Sequence, residues 1–346
     1  MCALRSVNTS DLSVQRTNDD AQVSKLSCVD KGYFRDDFLK YFVRRASRRS
    51  PLINRGYFSR VLALRQILQE FHAHLTSQGV STVQILSLGA GFDTSFFNLQ
   101  APGPNGVRWF EVDFAEVTKR KAAIIAGNEP LRKLLGPAES QSIQLDEGRI
   151  TAEAYNLLPG DLRDTRACQA ALEAAGFDPA CPTYVLAECV LVYMEPEDSA
   201  SVVRWLGHWL PTAAFVVYEQ IKPNDAFGKQ MISNLEARGC PLKGIAVTSD
   251  LAAHIRRFTG NGWQRADAKD MSTIYRLHLD PAEKKRAEQL EIFDEFEEWH
   301  MIQDHYCLVL GVNGGGDKLT GFGLKQQKQT LLGLTAGRMA GLPNAD

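Results

Sequence analysis

The stretch VQILSLGAGFDTS, residues 83–95, decides the fold of this 346-residue chain. The mostly apolar segment 83–88 predicts a buried strand, which Gly89 and Gly91 end in a tight turn before Asp93 and Thr94. Two glycines so close together form either a plain strand-to-helix turn or a backbone left open for a small charged ligand. The rest of the sequence has to decide between these two interpretations.

Beyond this stretch, short apolar runs alternate with helical patterns. The sequence predicts further strands over 108–113, 155–162, 183–188, 213–220, 263–271 and 305–311. It predicts helices over 115–126, 165–175, 196–210, 226–238 and 249–259, and one strongly charged helix over 281–299. This alternation predicts an α/β, Rossmann-like fold, in which helices cover both faces of a mostly parallel sheet.

The chain divides into four predicted parts. We expect a disordered N-terminus over 1–22, an N-terminal helical lid over 23–80 and the main α/β domain over 81–312. Insertions in that domain are expected near 127–153 and 222–247, where the periodicity is weak. A flexible, Gly-rich tail is expected over 313–346.

Composition narrows the class of protein. A hydrophobic fraction of 44% and a charged fraction of 23% are typical of a soluble globular enzyme. A net charge of −2 argues against a dedicated nucleic-acid or membrane-surface binder. The sequence shows neither a secretory signal nor a run of about 20 apolar residues. The seven cysteines lack metal-site spacing, so we expect reduced thiols, no metal and a cytoplasmic location.

Acidic residues stand where several predicted strands end. Asp113 ends the second strand, Asp161 follows the third and Glu188 ends the fourth, while Glu111 and Glu219 lie on the second and fifth. Ligands of doubly wound sheets bind beyond the carboxyl ends of the strands. An acid in that position is also a common helix cap. Glu188 is harder to explain in this way, because it interrupts an apolar run and an unpaired buried carboxylate costs several kcal/mol.

These acids together favour one ligand. Asp113, about twenty residues beyond the glycines, is placed to accept hydrogen bonds from both hydroxyls of a ribose. Asp161 can accept from an adenine amino group, and Glu188 can meet an ammonium group. The third glycine of G-x-G-x-x-G is missing, and so many acids would repel a diphosphate. S-adenosyl-L-methionine, which becomes S-adenosyl-L-homocysteine, therefore fits better than a dinucleotide.

The segments that carry these residues resemble the leucine carboxyl methyltransferase family. They are INRGYFSR (53–60), LSLGAGFDT (86–94), FEVDF (110–114), GDLRD (160–164) and LAECVLVYM (186–194), and the resemblance runs from about 25 to 312. It implies methyl transfer to the C-terminal leucine α-carboxylate of the protein phosphatase 2A catalytic subunit, forming a methyl ester. By resemblance, the cofactor-binding positions are Lys25, Arg60, Gly89, Asp113, Asp161, Leu162 and Glu188. Gly91 joins them through the glycine turn.

The chemistry needs alignment more than acid–base catalysis. A peptide α-carboxylate is already ionised at pH 7, so we expect in-line displacement with no general base. Arg60 can hold a carboxylate bidentately, whether that of the cofactor, of the substrate or of both, and the resemblance favours the cofactor. Tyr193 follows the Glu188 strand and can either orient the substrate carboxylate or pack as an ordinary aromatic residue.

Three other functions remain open. A related methyltransferase acting on a modified tRNA base could use the arginines within 44–49, although the global charge is not basic. A non-catalytic module could bind the cofactor and shield a phosphatase tail. A nicotinamide dehydrogenase is disfavoured by the missing glycine. The basic run 38–60 is either a solvated helical face or a surface that attracts an acidic protein partner.

Overall fold

The computed structural model describes residues 9–100 and 106–327, and it is built on one nine-stranded sheet. The strands are β1 (Val83–Leu88), β2 (Val107–Asp113), β3 (Ser142–Gln144), β4 (Arg149–Thr151), β5 (Tyr155–Pro159), β6 (Thr183–Glu188), β7 (Thr212–Gln220), β8 (Arg265–Asp270) and β9 (Tyr306–Gly314). Their order in the sheet is β3-β4-β5-β2-β1-β6-β7-β9-β8.

The centre of the sheet is parallel and both of its ends are antiparallel. The pairs β5–β2, β2–β1, β1–β6 and β6–β7 run parallel, whereas the pairs β3–β4, β4–β5, β7–β9 and β8–β9 run antiparallel. The strand order reverses at β1, so the carboxyl ends of β1, β2 and β6 open on a crevice. The predicted Rossmann-like fold is confirmed.

Twelve helices flank the sheet within the described residues. They are α1 (Thr9–Asp30), α2 (Pro51–Thr76), α3 (Ser95–Gln100), α4 (Ala115–Gly127), α5 (Glu129–Arg132), α6 (Thr165–Ala174), α7 (Pro196–Trp209), α8 (Ala226–Ala237), α9 (Leu251–Thr259), the single turn α10 (Met271–Thr273), α11 (Pro281–Glu288) and α12 (Phe296–Asp304). Local chemistry sets several of their starts. Ser50 caps α2 ahead of Pro51, and Asp164, Asp225 and Asp250 accept backbone N–H bonds at the starts of α6, α8 and α9.

Each face of the sheet has its own apolar core. One face buries Phe71 of α2 with Phe96 and Trp109, and the other buries Val202 of α7 with Phe215. Side chains of that size contribute about 1.5–3 kcal/mol each when buried, so the two cores hold the central strands rigidly. Rigid strands fix the positions of the residues at their ends.

The first 22 residues correct one expectation. Disorder was predicted over 1–22 because the segment is polar, but α1 begins at Thr9 and continues to Asp30. Polar contacts replace an apolar face: Arg163 pairs with Asp11 at 3.0 Å, and Arg120 pairs with Asp19 at 2.8 Å. Residues 1–8 lie outside the described residues.

The prediction of a flexible tail over 313–346 is wrong for its first part. β9 extends to Gly314, and the chain then folds back so that Leu319 and Phe322 are only 1% and 2% exposed. The Arg265 guanidinium holds this segment by donating to the carbonyl oxygen of Leu319 at 3.0 Å. The segment 315–327 is thus anchored by Leu319 and Phe322, although about half of its residues are exposed, and residues 328–346 lie outside the described part of the chain.

Two other segments differ in detail from the predictions. The single charged helix expected over 281–299 is two helices, α11 and α12, separated by an irregular segment over 289–295. The weakly periodic stretch 127–153 contains α5 and the hairpin β3–β4 at the edge of the sheet. Within residues 9–100 and 106–327, none of the helices is both long and apolar enough to cross a bilayer.

Candidate active site

The carboxyl ends of the central strands open into a cleft of about 620 Å³. All nine predicted site residues line it: Lys25, Arg60, Gly89, Gly91, Asp113, Asp161, Leu162, Glu188 and Tyr193. They come from α1, α2, the ends of the four strands β1, β2, β5 and β6, and the turn after β6. The fold therefore brings together residues up to 168 positions apart, from Lys25 to Tyr193.

The glycine turn after β1 is required by backbone geometry and by packing. Gly89 and Gly91 have φ of +58° and +52°, a conformation that favours glycine. A Cβ atom on Gly89 would lie 2.7 Å from the Val190 side chain, and one on Gly91 would collide with the Asn18 side chain. Both glycines line the cleft, but the space next to them that a side chain would fill is occupied by the protein.

Two backbone hydrogen bonds fix the Asp113 carboxylate beside this turn. One carboxylate oxygen accepts a hydrogen bond from the Gly91 N–H at 2.6 Å, and the other accepts from the Phe114 N–H at 2.7 Å. Burial raises the pKa of the carboxyl group to about 6, although these N–H groups favour the ionised form. Each oxygen keeps acceptor capacity beyond its one backbone bond, so the group can still accept from a ligand in the cleft.

Asp161 has a cationic partner that the sequence reasoning did not foresee. The Arg163 guanidinium donates to both carboxylate oxygens of Asp161, at 2.7 and 2.8 Å, and also reaches Asp11 of α1 at 3.0 Å. The orientation of Asp161 is thus set by Arg163, which also ties α1 to the strand end. Leu162, 8% exposed, lies between them in sequence and lines the cleft.

Glu188 is the charged centre of the cleft. Its carboxylate accepts a short hydrogen bond from the Arg60 Nε, and the Lys25 Nζ lies 3.4 Å from its other oxygen. Burial works against ionisation, but Arg60 and Lys25 outweigh it and lower the pKa of Glu188 to about 2. Lys25 also lies 3.9 Å from Asp93, and the Arg60 guanidinium lies 4.7 Å from the Tyr218 ring centroid.

The turn after β6 carries Tyr193 on a braced backbone. Glu219 is fully buried. Its carboxylate accepts a hydrogen bond from the Val192 N–H at 2.8 Å and forms an ion pair with Arg257 at 3.3 Å. On the other side, the Gly244 N–H donates to the Val192 carbonyl at 2.9 Å. Tyr193 therefore occupies a defined place on the cleft wall.

A second buried acid, Glu111, stabilises the glycine turn through Lys121. Glu111 and Lys121 are fully buried and form an ion pair at 2.5 Å, and the Tyr155 hydroxyl donates to Glu111 at 2.8 Å. Lys121 also donates to the Asp93 carbonyl oxygen at 2.8 Å. This network holds the Gly89–Thr94 segment in place and explains why β2 carries two acids.

The sequence reasoning missed the part of the cleft made by α1. Asn18 accepts a hydrogen bond from the Phe92 N–H at 2.8 Å, so α1 lies directly against the glycine turn. Tyr57, Gln220 and Tyr306 also line the cleft and were not singled out. Tyr57 stands one turn before Arg60 within INRGYFSR, which could have identified it, whereas the polar composition of 9–22 concealed the helix.

Comparisons with known proteins identify sequence relatives of nearly the whole chain. A sequence model described as "Leucine carboxyl methyltransferase" matches residues 13–207. The chain is 49% identical over 315 residues to the leucine carboxyl methyltransferase 1 homolog of Arabidopsis thaliana, covering 91% of this chain and 93% of that one. It is 36% identical over 319 residues to leucine carboxyl methyltransferase 1 of Rattus norvegicus, covering 91% and 93%. It is also 41% identical over 305 residues to human tRNA wybutosine-synthesizing protein 4, covering 87% of this chain and 44% of that protein.

Proposed function

The chain belongs to the leucine carboxyl methyltransferase family, whose members use S-adenosyl-L-methionine, and we propose that it methylates the C-terminal leucine α-carboxylate of the protein phosphatase 2A catalytic subunit. The product would be a C-terminal methyl ester. The single observation that carries this proposal is the cleft itself, where Arg60 and Lys25 flank Glu188.

The donor set in the cleft suits S-adenosyl-L-methionine. Asp113 keeps acceptor capacity for the ribose hydroxyls, and Asp161 and Leu162, which line the same cleft, would contact the adenine ring. Arg60 and Lys25 supply cations for the amino-acid carboxylate, and Glu188 supplies an anion for its ammonium group. The amino-acid end of S-adenosyl-L-methionine carries a carboxylate and an ammonium group, which match these cations and this anion. A pyrophosphate would instead be repelled by Asp113, Asp161 and Glu188.

The bound cofactor supplies an activated methyl group on a sulfonium. The protein has to place a carboxylate in line with it and exclude water from both. Holding two reactants in this way contributes up to about 7–11 kcal/mol, and a substrate that is already ionised needs no proton removed. Tyr193 can donate a hydrogen bond to the substrate carboxylate, and the Glu219 brace keeps that tyrosine in place.

A labelled-methyl transfer assay with purified protein phosphatase 2A catalytic subunit tests the proposal. We expect one methyl group per intact subunit, and label that is released by mild base, as an ester requires. A subunit that lacks its final leucine should accept none. Equal labelling of both subunits would contradict the proposal.

One observation favours a second candidate, a methyltransferase that acts on a modified tRNA base. The human relative at 41% identity is named as a wybutosine-synthesizing protein, and this chain covers only 44% of it. The exposed Arg44 and Arg45 are available to a phosphate backbone. Transfer of label to tRNA, with activity falling steeply as salt is raised, would favour this candidate.

A further inference from the structure

Exposed apolar side chains are concentrated on one face of the molecule. Among the described residues, eight large hydrophobic side chains are exposed, and five of them lie in the segment 290–301 or at the start of α2. These five are Ile53, Leu290, Ile292, Phe296 and Met301. Ile292 is 93% exposed and Phe296 is 53% exposed. Such a concentration marks an interaction site, whereas single exposed apolar residues are ordinary.

The two parts of this face are adjacent in the structure. The Asn54 amide donates to the Glu291 carboxylate at 2.9 Å, and the Arg55 guanidinium lies 3.8 Å from the Phe293 ring centroid. The first turn of α2 is therefore packed directly against residues 291–293. We call Ile53 together with residues 290–301 the docking face.

The docking face borders the mouth of the cleft. Ile53 precedes Tyr57 by one helical turn on α2, so the two side chains share a side of the helix, and Tyr57 lines the cleft. The Ser59 hydroxyl of α2, next to Arg60 of the cleft, donates to the Gln303 side-chain oxygen of α12 at 3.0 Å, so α12 packs beside the same stretch of α2. A protein whose chain end enters the cleft would thus bring its folded part over this face.

Charges around the docking face are divided by sign. Asp294, Glu297 and Glu298 are exposed at its α12 side. On the α2 side, Arg48 lies 3.6 Å from Glu291, and Arg44 and Arg45 beyond it are exposed. An apolar centre between an acidic and a basic flank fits a partner in one orientation only, because reversed docking would place like charges together.

We propose that the docking face binds the folded body of the substrate protein while its C-terminal tail occupies the cleft. This inference rests on the proposed function, since it assumes a protein substrate. The partner surface should be apolar at its centre, with basic residues that face α12 and acidic residues that face residues 44–48. Specificity for one folded protein then comes from the docking face, and the chemistry comes from the cleft.

The double variant Ile292→Asp with Phe296→Asp tests the inference, with Leu145→Asp as its control. Leu145 is 47% exposed and follows β3, at the opposite edge of the sheet from β9. With intact protein phosphatase 2A catalytic subunit, we expect the double variant to raise KM at least 10-fold and to leave kcat within 2-fold. The control should leave both unchanged. Equal thermal unfolding temperatures will establish that all three chains are folded.

Binding of a catalytic subunit that lacks its final leucine isolates the docking step. Wild type and the Leu145→Asp control should bind it equally, and the double variant at least 10-fold more weakly. Glu297→Lys with Glu298→Lys should also weaken binding, by altering one flank only. An unchanged KM in the double variant, or an absence of binding to wild type, would overturn the inference. Failure of wild type to methylate the intact subunit would instead overturn the proposed function.

Discussion

Replacing Glu188 by glutamine removes the one negative charge between Arg60 and Lys25 and keeps the shape of the side chain. The two cations lower the pKa of Glu188 to about 2 despite its burial. A depression of this size corresponds to about 3 kcal/mol of stability at neutral pH. The variant resembles the protonated acid and leaves the same two cations, whose side chains are 13% and 11% exposed, without this partner, so about 3 kcal/mol is the expected loss.

Urea unfolding of the ligand-free chain, followed by circular dichroism from pH 7 to pH 3, measures this loss. Because the pKa of Glu188 is lower in the folded than in the unfolded chain, its contribution is present above about pH 4.3 and is lost as the pH falls towards 2. The difference between wild type and Glu188→Gln should therefore stay constant from pH 7 to 5 and shrink below that.

Asp267→Asn is the matched control for removing one carboxylate from an ion pair. Asp267 pairs with Lys269 at 2.8 Å, but both side chains are more than a third exposed. This variant should cost less than about 1 kcal/mol. The reasoning is refuted if Glu188→Gln costs no more than the control at pH 7, or if its cost is the same at pH 3 as at pH 7.

Three further outcomes are expected. Asp113→Ala should weaken binding of S-adenosyl-L-methionine roughly 100-fold by calorimetry, since two hydrogen bonds to a charged acceptor are lost; unchanged affinity would remove Asp113 from the site. Because burial raises the pKa of Asp113 to about 6, cofactor affinity in wild type should fall as the pH drops from 7 through 6, and affinity that stays level from pH 7 to 5 would show that Asp113 does not control binding. A chain that ends at Gln327 should keep its turnover. A chain that ends at Gly316 loses the buried Leu319 and Phe322, so its unfolding temperature should be at least 5 °C lower. Equal unfolding temperatures for the two chains would show that residues 317–327 do not stabilise the fold.

Periodicity predicted the central sheet well, because strands buried on both sides carry a strong local signal. The predicted strand over 183–188 coincides with β6, and the acid that ends it lies in the cleft. The same rule that placed ligands at strand ends brought Asp113 and Asp161 to one crevice.

Other features were set by contacts between distant segments, which a single sequence does not show. The polar residues 9–22 form a helix because Arg163 and Arg120 supply partners more than 100 positions away. Glu188 is predicted to bind an ammonium group, and the structure also pairs it with Arg60 and Lys25. The Gly-rich segment after β9 is ordered through Leu319 and Phe322, two apolar residues without a regular period.

The most direct test of the account is a labelled-methyl transfer assay that compares intact protein phosphatase 2A catalytic subunit with the subunit that lacks its final leucine. Base-labile label, one methyl per molecule, is expected on the intact subunit alone. Label on both subunits, or label found on tRNA with none on the intact subunit, would contradict the proposed substrate.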